Sequence, residues 1–118
     1  NGDGTVSRDF TYIENVIQMN HLALTTENSL ALGQVFNTAV GERNDLNQLC
    51  SYLKKYLSVY DTKIADIEIM YGPTRKGEIA HSLACIDKAK NLLGYKPTHN
   101  FSEGLKEAVN WYWNNYKK

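Results

Sequence analysis

Two spacings of apolar residues alternate along the chain and divide it into short elements. Residues 7–13 alternate in part and carry Phe10 and Tyr12, which predicts a short extended segment. Ile13, Val16, Ile17 and Leu24 then fall near one face of a helix predicted over residues 14–25, with Glu14 in its first turn. Asn28 and Ser29 break the pattern, and residues 35–40 predict a short strand ending at Gly41. Asp45 starts the clearest helix. Its carboxylate is placed to cap the first turn, Gln48 completes a capping-box pair, and Leu46, Leu49, Cys50, Leu53 and Leu57 form one apolar stripe. A third strand is predicted over residues 66–70. Gly72-Pro73 and Gly77 make residues 71–78 a loop. Asp87 is read as the cap of a short helix through Leu93, closed by Gly94, with Pro97 beyond. A last helix is predicted over residues 102–116, with Leu105, Ala108, Val109, Tyr112 and Tyr116 aligned on one face.

Short strands alternating with helices predict an α/β chain, α+β-like in this stretch. Three strands are little sheet for so many amphipathic helices to cover. The opening Asn1-Gly2-Asp3-Gly4 reads as a turn within a larger unit. Both features lead to the expectation that the 118 residues are one domain of a longer protein.

Composition narrows the functional classes. Thirteen basic residues balance thirteen acidic ones, which argues against a nucleic-acid or anionic-membrane partner held by bulk charge. No apolar run approaches membrane-spanning length and no signal-peptide pattern is present, so a cytoplasmic location is expected. Cys50 and Cys85 lack the spacing of a zinc site or the density of a disulfide scaffold. Asn100-Phe101-Ser102 matches a glycosylation sequon, which carries little weight without secretion.

Catalytic signals are mostly absent. The eight glycines include no dinucleotide fingerprint, and Gly2-x-Gly4 has neither a strand before it nor a helix directly after it. No tyrosine has a lysine four residues later, and His21, His81 and His99 lack metal-ligand spacing. Ser82 beside His81 is a poor nucleophile–base pair, because adjacent side chains rarely face each other. Arginine is the useful signal. Arg8 and Arg75 lie on separate loop-like segments, and two guanidiniums so placed suit a diphosphate. Glu78, three residues past Arg75, is placed to accept from ribose hydroxyls. Pairing of Arg8 with Asp9 or Glu14, and a solvated Arg75, is an equally weighted reading of the same residues.

Four segments in order resemble the extended short-chain dehydrogenase/reductase family, the nucleotide-sugar epimerases and dehydratases. Gly2-Asp3-Gly4 with Arg8-Asp9-Phe10-Thr11-Tyr12-Ile13-Glu14-Asn15-Val16 resembles the first signature of the family's C-terminal part. Val35-Phe36-Asn37-Thr38-Ala39-Val40-Gly41 resembles its Asn-containing strand. Arg75-Lys76-Gly77-Glu78-Ile79 with Ser82-Leu83-Ala84 resembles its second signature, and Lys90-Asn91-Leu92-Leu93-Gly94-Tyr95-Lys96-Pro97 its C-terminal finish. The wording around Tyr12–Gln18 and Arg75–Ala84 resembles the UDP-N-acetylglucosamine 4-epimerase type. Asn15 and Cys85 stand where many relatives have Asp.

The resemblance implies that residues 1–118 are the C-terminal sugar-nucleotide-binding domain of such an epimerase. An NAD-binding Rossmann domain would lie outside this chain, and the parent would be a homodimer. NAD and a Tyr/Lys pair of that other domain would oxidise the sugar at C4 and return hydride to the opposite face. This chain then contributes no catalytic or cofactor-binding residue. Arg8 and Arg75 would hold the UDP diphosphate, Glu78 the ribose, and Ser82 part of the wall beside the C2 substituent, where galactose-type relatives can carry a bulky aromatic. Asn37 and Tyr12 would be structural, and Trp111, Tyr112, Trp113 and Tyr116 core or domain-contact residues. A sister dehydratase, decarboxylase or UDP-galactose 4-epimerase, and a stand-alone binding module, are the competing expectations.

Overall fold

The computed structural model describes residues 2–116; the Asn1 end of the predicted opening turn lies outside the described residues. It is a small α/β arrangement. In chain order it contains β1 (Ser7–Arg8), α1 (Ile13–Thr25), a 3-10 turn at Ser29–Ala31, β2 (Asn44–Asp45), α2 (Leu46–Leu57), a 3-10 turn at Thr62–Asp66, α3 (Asp87–Leu93) and α4 (Phe101–Asn115). No helix among the described residues is long and apolar enough to cross a membrane.

The helices form where local chemistry closes their ends. Asp45 accepts from Gln48 N at 2.7 Å while the Gln48 amide oxygen accepts from Asp45 N at 2.8 Å. That reciprocal box satisfies donors that a helix start otherwise leaves orphaned. The next first-turn amides of α2 are met by the chain before β1, Leu46 N by Val6 O and Asn47 N by Gly4 O. Helix α4 has the same box between Asn100 and Glu103 and so begins one residue before the predicted start. Asn100, the sequon asparagine, is thereby engaged as a cap. Helix α3 corrects the predicted cap: Ile86 is the N-cap residue, and Asp87 sits in the first turn, where its charge suits the helix dipole. Gly94 closes α3 in the left-handed conformation, as predicted.

The predicted strands over 35–40 and 66–70 do not form. A strand needs a neighbour for its backbone groups, and among the described residues neither segment joins a ladder. Residues 35–41 are tethered by side chains instead. Asp9 accepts from Val40 N and Gly41 N at 3.0 Å each, and from Ala84 N at 3.4 Å. Asn37 donates to Cys85 O, and the buried Tyr95 hydroxyl donates to Ala39 O at 2.8 Å. Asn37 is thus a structural tie, as expected.

The core gathers Met19, Ala31, Ala39, Ile86, Ala89, Leu93 and Tyr95, with Leu22 and Phe36 packed against it. Most of the face predicted to bury α1 points outward: Ile13 and Ile17 are 58% exposed and Leu24 86%, while Val16 is half-buried at its edge and Asn15 and Met19 turn inward. Asn15 is fully buried. Its Oδ1 accepts from Thr98 N, Thr98 Oγ1 and His99 N, and its Nδ2 donates to His99 O. The pattern explains why an amide, with a donor as well as an acceptor, is suited to this position. On α4, Val109 is buried, but Tyr112 and Tyr116 of the predicted inward face are exposed. Trp111 is exposed too, whereas Trp113 is half-buried and stacks on Tyr60. Tyr12 is structural, as expected. A Cβ added at Gly104 would run into its Cβ, so glycine lets α4 approach the chain after β1.

Candidate functional site

The strand β1 lies between two neighbours. On one side it pairs antiparallel with β2, Ser7 opposite Asp45 and Arg8 opposite Asn44. On the other it makes a parallel bridge with the 80–82 segment: Ser7 N donates to Ala80 O at 2.9 Å and Ser82 N to Ser7 O at 3.1 Å. The same two stretches meet at their far ends, where Gly2 N donates to Gly72 O at 2.8 Å. Asn47 joins both, donating to Asp3 O and accepting from the Tyr71 hydroxyl. Two hydrogen bonds from Thr5, one from its hydroxyl and one from its amide, hold the exposed Asp3 carboxyl below its ordinary pKa.

A cleft of about 450 Å³ opens between these segments, lined by Arg8, Arg75, Lys76, Gly77, Glu78, Ile79 and Ser82. All four residues singled out from sequence therefore reach one cavity, from positions up to 74 apart in the chain. The turn at Arg75–Glu78 is closed by Glu78 N donating to Arg75 O, and Gly77 supplies the positive φ of +80° that the turn needs. Lys76 and Ile79 were not singled out as site residues, although both lie within the second signature.

Three cations and one carboxylate give the cleft an excess of positive charge. Arg8 is steered from two sides: its Nη1 donates to Ser7 O at 2.7 Å, and its Nη2 lies 3.9 Å from Glu78 Oε1. Neither Asp9 nor Glu14 is its partner; Asp9 is occupied by backbone amides. Glu78 Oε2 is buried and accepts no hydrogen bond from the described residues, a costly state that a donor entering the cleft would relieve. A second groove, of about 200 Å³ beside Phe10, Tyr12, Leu49 and Phe101, has no charged side chain on its wall. Among the described residues no group of three His, Cys, Asp or Glu side chains is placed to hold a metal ion.

The fold matches the C-terminal part of Rossmann-type sugar-nucleotide epimerases. UDP-glucose 4-epimerase from Thermotoga maritima, solved with UDP-glucose, superposes with a TM-score of 0.82 at 34% identity, over 98% of this chain and 34% of that one. UDP-N-acetylglucosamine 4-epimerase from Methanobrevibacter ruminantium, in complex with UDP-N-acetylmuramic acid, gives 0.80 at 32%, over 96% and 33%. UDP-glucuronic acid 4-epimerase from Bacillus cereus, in complex with UDP-glucuronic acid and NAD, gives 0.77 at 30%, over 96% and 34%. The model of the family described as GDP-mannose 4,6 dehydratase matches residues 1–108, and the chain belongs to that family. It spans about a third of the length of the first curated relatives it matches, which include plant UDP-glucuronate 4-epimerases.

Proposed function

We propose that this chain is the C-terminal, sugar-nucleotide-binding portion of a UDP-sugar 4-epimerase, and that Arg8 and Arg75 clamp the substrate's diphosphate. The observation that carries the reading is the convergence of two arginines, a lysine and a carboxylate on one cleft. Guanidinium groups bind phosphate oxygens through paired, charge-assisted hydrogen bonds. Glu78 Oε2, buried and without a donor among the described residues, is matched to a ribose hydroxyl. Release of Glu78 from Arg8 toward the ribose would free the guanidinium for phosphate. The solved relatives in complex with UDP-glucose and UDP-glucuronic acid support the ligand class.

Epimerisation at C4 requires the sugar ring to turn while its anchor stays fixed, and the cleft residues suit anchoring rather than proton or hydride transfer. The NAD present in the Bacillus cereus enzyme finds no matching cradle here, since none of the glycines forms a dinucleotide fingerprint at the start of a helix. We assign it to a Rossmann domain outside this chain, and we assign no hydride step to these residues.

Within the 4-epimerases the preferred substrate in this reading is UDP-N-acetylglucosamine or its galactosamine epimer. Ser82 is small, exposed and on the cleft wall, which leaves room for an acetamido group beside it. The test is Ser82→Tyr in the full-length protein. Overpacking costs about 1–3 kcal/mol or more, so turnover of N-acetylated substrates should fall roughly 5- to 150-fold or more while UDP-glucose and UDP-galactose are spared. Unchanged kinetics for UDP-N-acetylglucosamine would remove Ser82 from the specificity wall.

A further inference from the structure

We infer that Ser7 and His81 form a positioning pair that fixes the register of the two segments carrying the cleft. The inference rests on the reading of the Arg8–Arg75 cleft as a diphosphate site. The Ser7 hydroxyl lies 2.8 Å from His81 Nδ1, between residues 74 apart in sequence, and Ser7 is only 5% exposed. These two residues are also the partners of the parallel bridge.

The pleat of extended chain gives this contact its consequence. Successive side chains alternate between faces, and bridged partners project to the same side. Ser7 and His81 therefore meet on one face, and their successors Arg8 and Ser82 project together to the other, where both line the cleft. A slip of one residue would reverse this and turn Arg8 or Ser82 out of the site. The backbone contribution to the bridge is small: Ser7 N to Ala80 O and Ser82 N to Ser7 O. So short a ladder specifies register weakly. The side-chain bond is specific to the observed pairing, because only that register brings a hydroxyl opposite an imidazole. In the tautomer protonated on Nε2 the serine donates to Nδ1; in the other, Nδ1–H donates to Oγ. Neither residue needs to touch the nucleotide. They act through Arg8, whose guanidinium is held by the Ser7 carbonyl at 2.7 Å.

The experiment measures UDP and UMP affinity by calorimetry on the full-length protein, well below its melting temperature. The variants are Ser7→Ala, Ser7→Thr, His81→Phe and His81→Asn, with Arg8→Ala and Arg75→Ala as controls. Ser7→Ala and His81→Phe should each weaken UDP binding by roughly 3- to 10-fold, the scale of one net hydrogen bond. UMP, which lacks the second phosphate, should lose less, so the ratio of UDP to UMP affinity falls. Ser7→Thr and His81→Asn keep a hydrogen-bonding atom at the same place and should recover most of the ratio. The Ser7→Ala/His81→Phe double variant should be no weaker than the worse single one, because both remove the same bond. A lowered melting temperature with an unchanged ratio would make the pair purely structural and overturn the proposal. If Arg8→Ala and Arg75→Ala also bind UDP normally, the cleft reading itself fails, and the positioning role with it.

Discussion

Replacing Asp9 with Asn perturbs a single carboxylate, outside the cleft, that ties distant stretches of the chain together. One carboxylate ties three stretches of chain: Oδ1 accepts from Val40 N and Oδ2 from Gly41 N, both at 3.0 Å, and Oδ2 also accepts from Ala84 N at 3.4 Å. A hydrogen bond to a charged group contributes about 1.5–3 kcal/mol net, and a neutral one about half that. Asparagine can keep one of the two short bonds, now neutral, while its amide turns N–H toward N–H at the other. The partly exposed setting lets water offset some of this, so we expect a cost of about 2–4 kcal/mol. Because the tether is local, hydrogen exchange in the full-length protein is the appropriate assay. Peptides covering residues 39–41 and 84 should exchange roughly 30- to 1,000-fold faster in Asp9→Asn, while those of α2 should change little. Equal exchange in the two proteins would refute the claim that this carboxylate holds the 35–41 segment.

Burial first, and the Asp9 carboxylate second, raise the Tyr95 phenol above its ordinary pKa of 10.0. The unfolded chain then ionises before the folded one, so the stability this group contributes is complete below pH 10 and declines as pH rises through the higher folded value. Alkaline unfolding curves of Tyr95→Phe should lack that decline. The variant should also lose about 0.5–1.5 kcal/mol at neutral pH with the bond to Ala39 O, and an unaltered alkaline profile would contradict the assignment. The 118-residue chain by itself should self-associate, given exposures of 86% at Leu24, 85% at Val35 and 94% at Met70. Sedimentation as a monomer with concentration-independent melting would contradict this.

What the sequence revealed follows how local each signal is. Helix α2 was readable because its capping box spans four consecutive residues, α4 because its apolar residues recur at helical spacing, and the end of α3 because Gly94 alone supplies the left-handed residue; the box that starts α4 at Asn100 was not read. The segments at 35–40 and 66–70 have strand-like composition, yet composition cannot provide the neighbouring strand, and none pairs with them here. Periodicity located the apolar stripe of α1 but not the direction it faces. Asn15, with four hydrogen bonds to residues 98 and 99, draws the polar edge inward and leaves Ile13 and Ile17 outside. Arg8, Arg75 and Glu78 were candidates from their loop settings and were chosen over a solvated reading by resemblance to a family's signatures, Ser82 by that resemblance alone, and the fold brings all four to one cleft. Lys76 lay inside a quoted signature without being singled out, whereas the Asp9 tether and the Ser7–His81 contact were invisible, since nothing in a one-dimensional pattern brings residue 9 to residues 40 and 84 or residue 7 to residue 81.

Calorimetric titration of UDP into the full-length protein and its Arg75→Ala variant tests the central claim most directly. Arg75 is exposed on its loop and lines the cleft, so its removal should disturb the fold little. Loss of a charge-assisted bond to phosphate should weaken binding by about 1.5–3 kcal/mol, roughly 10- to 150-fold, with only partial recovery in Arg75→Lys, since a point charge cannot reproduce the planar fork. UDP affinity equal to that of the parent in Arg75→Ala would contradict the assignment of this cleft as the diphosphate clamp.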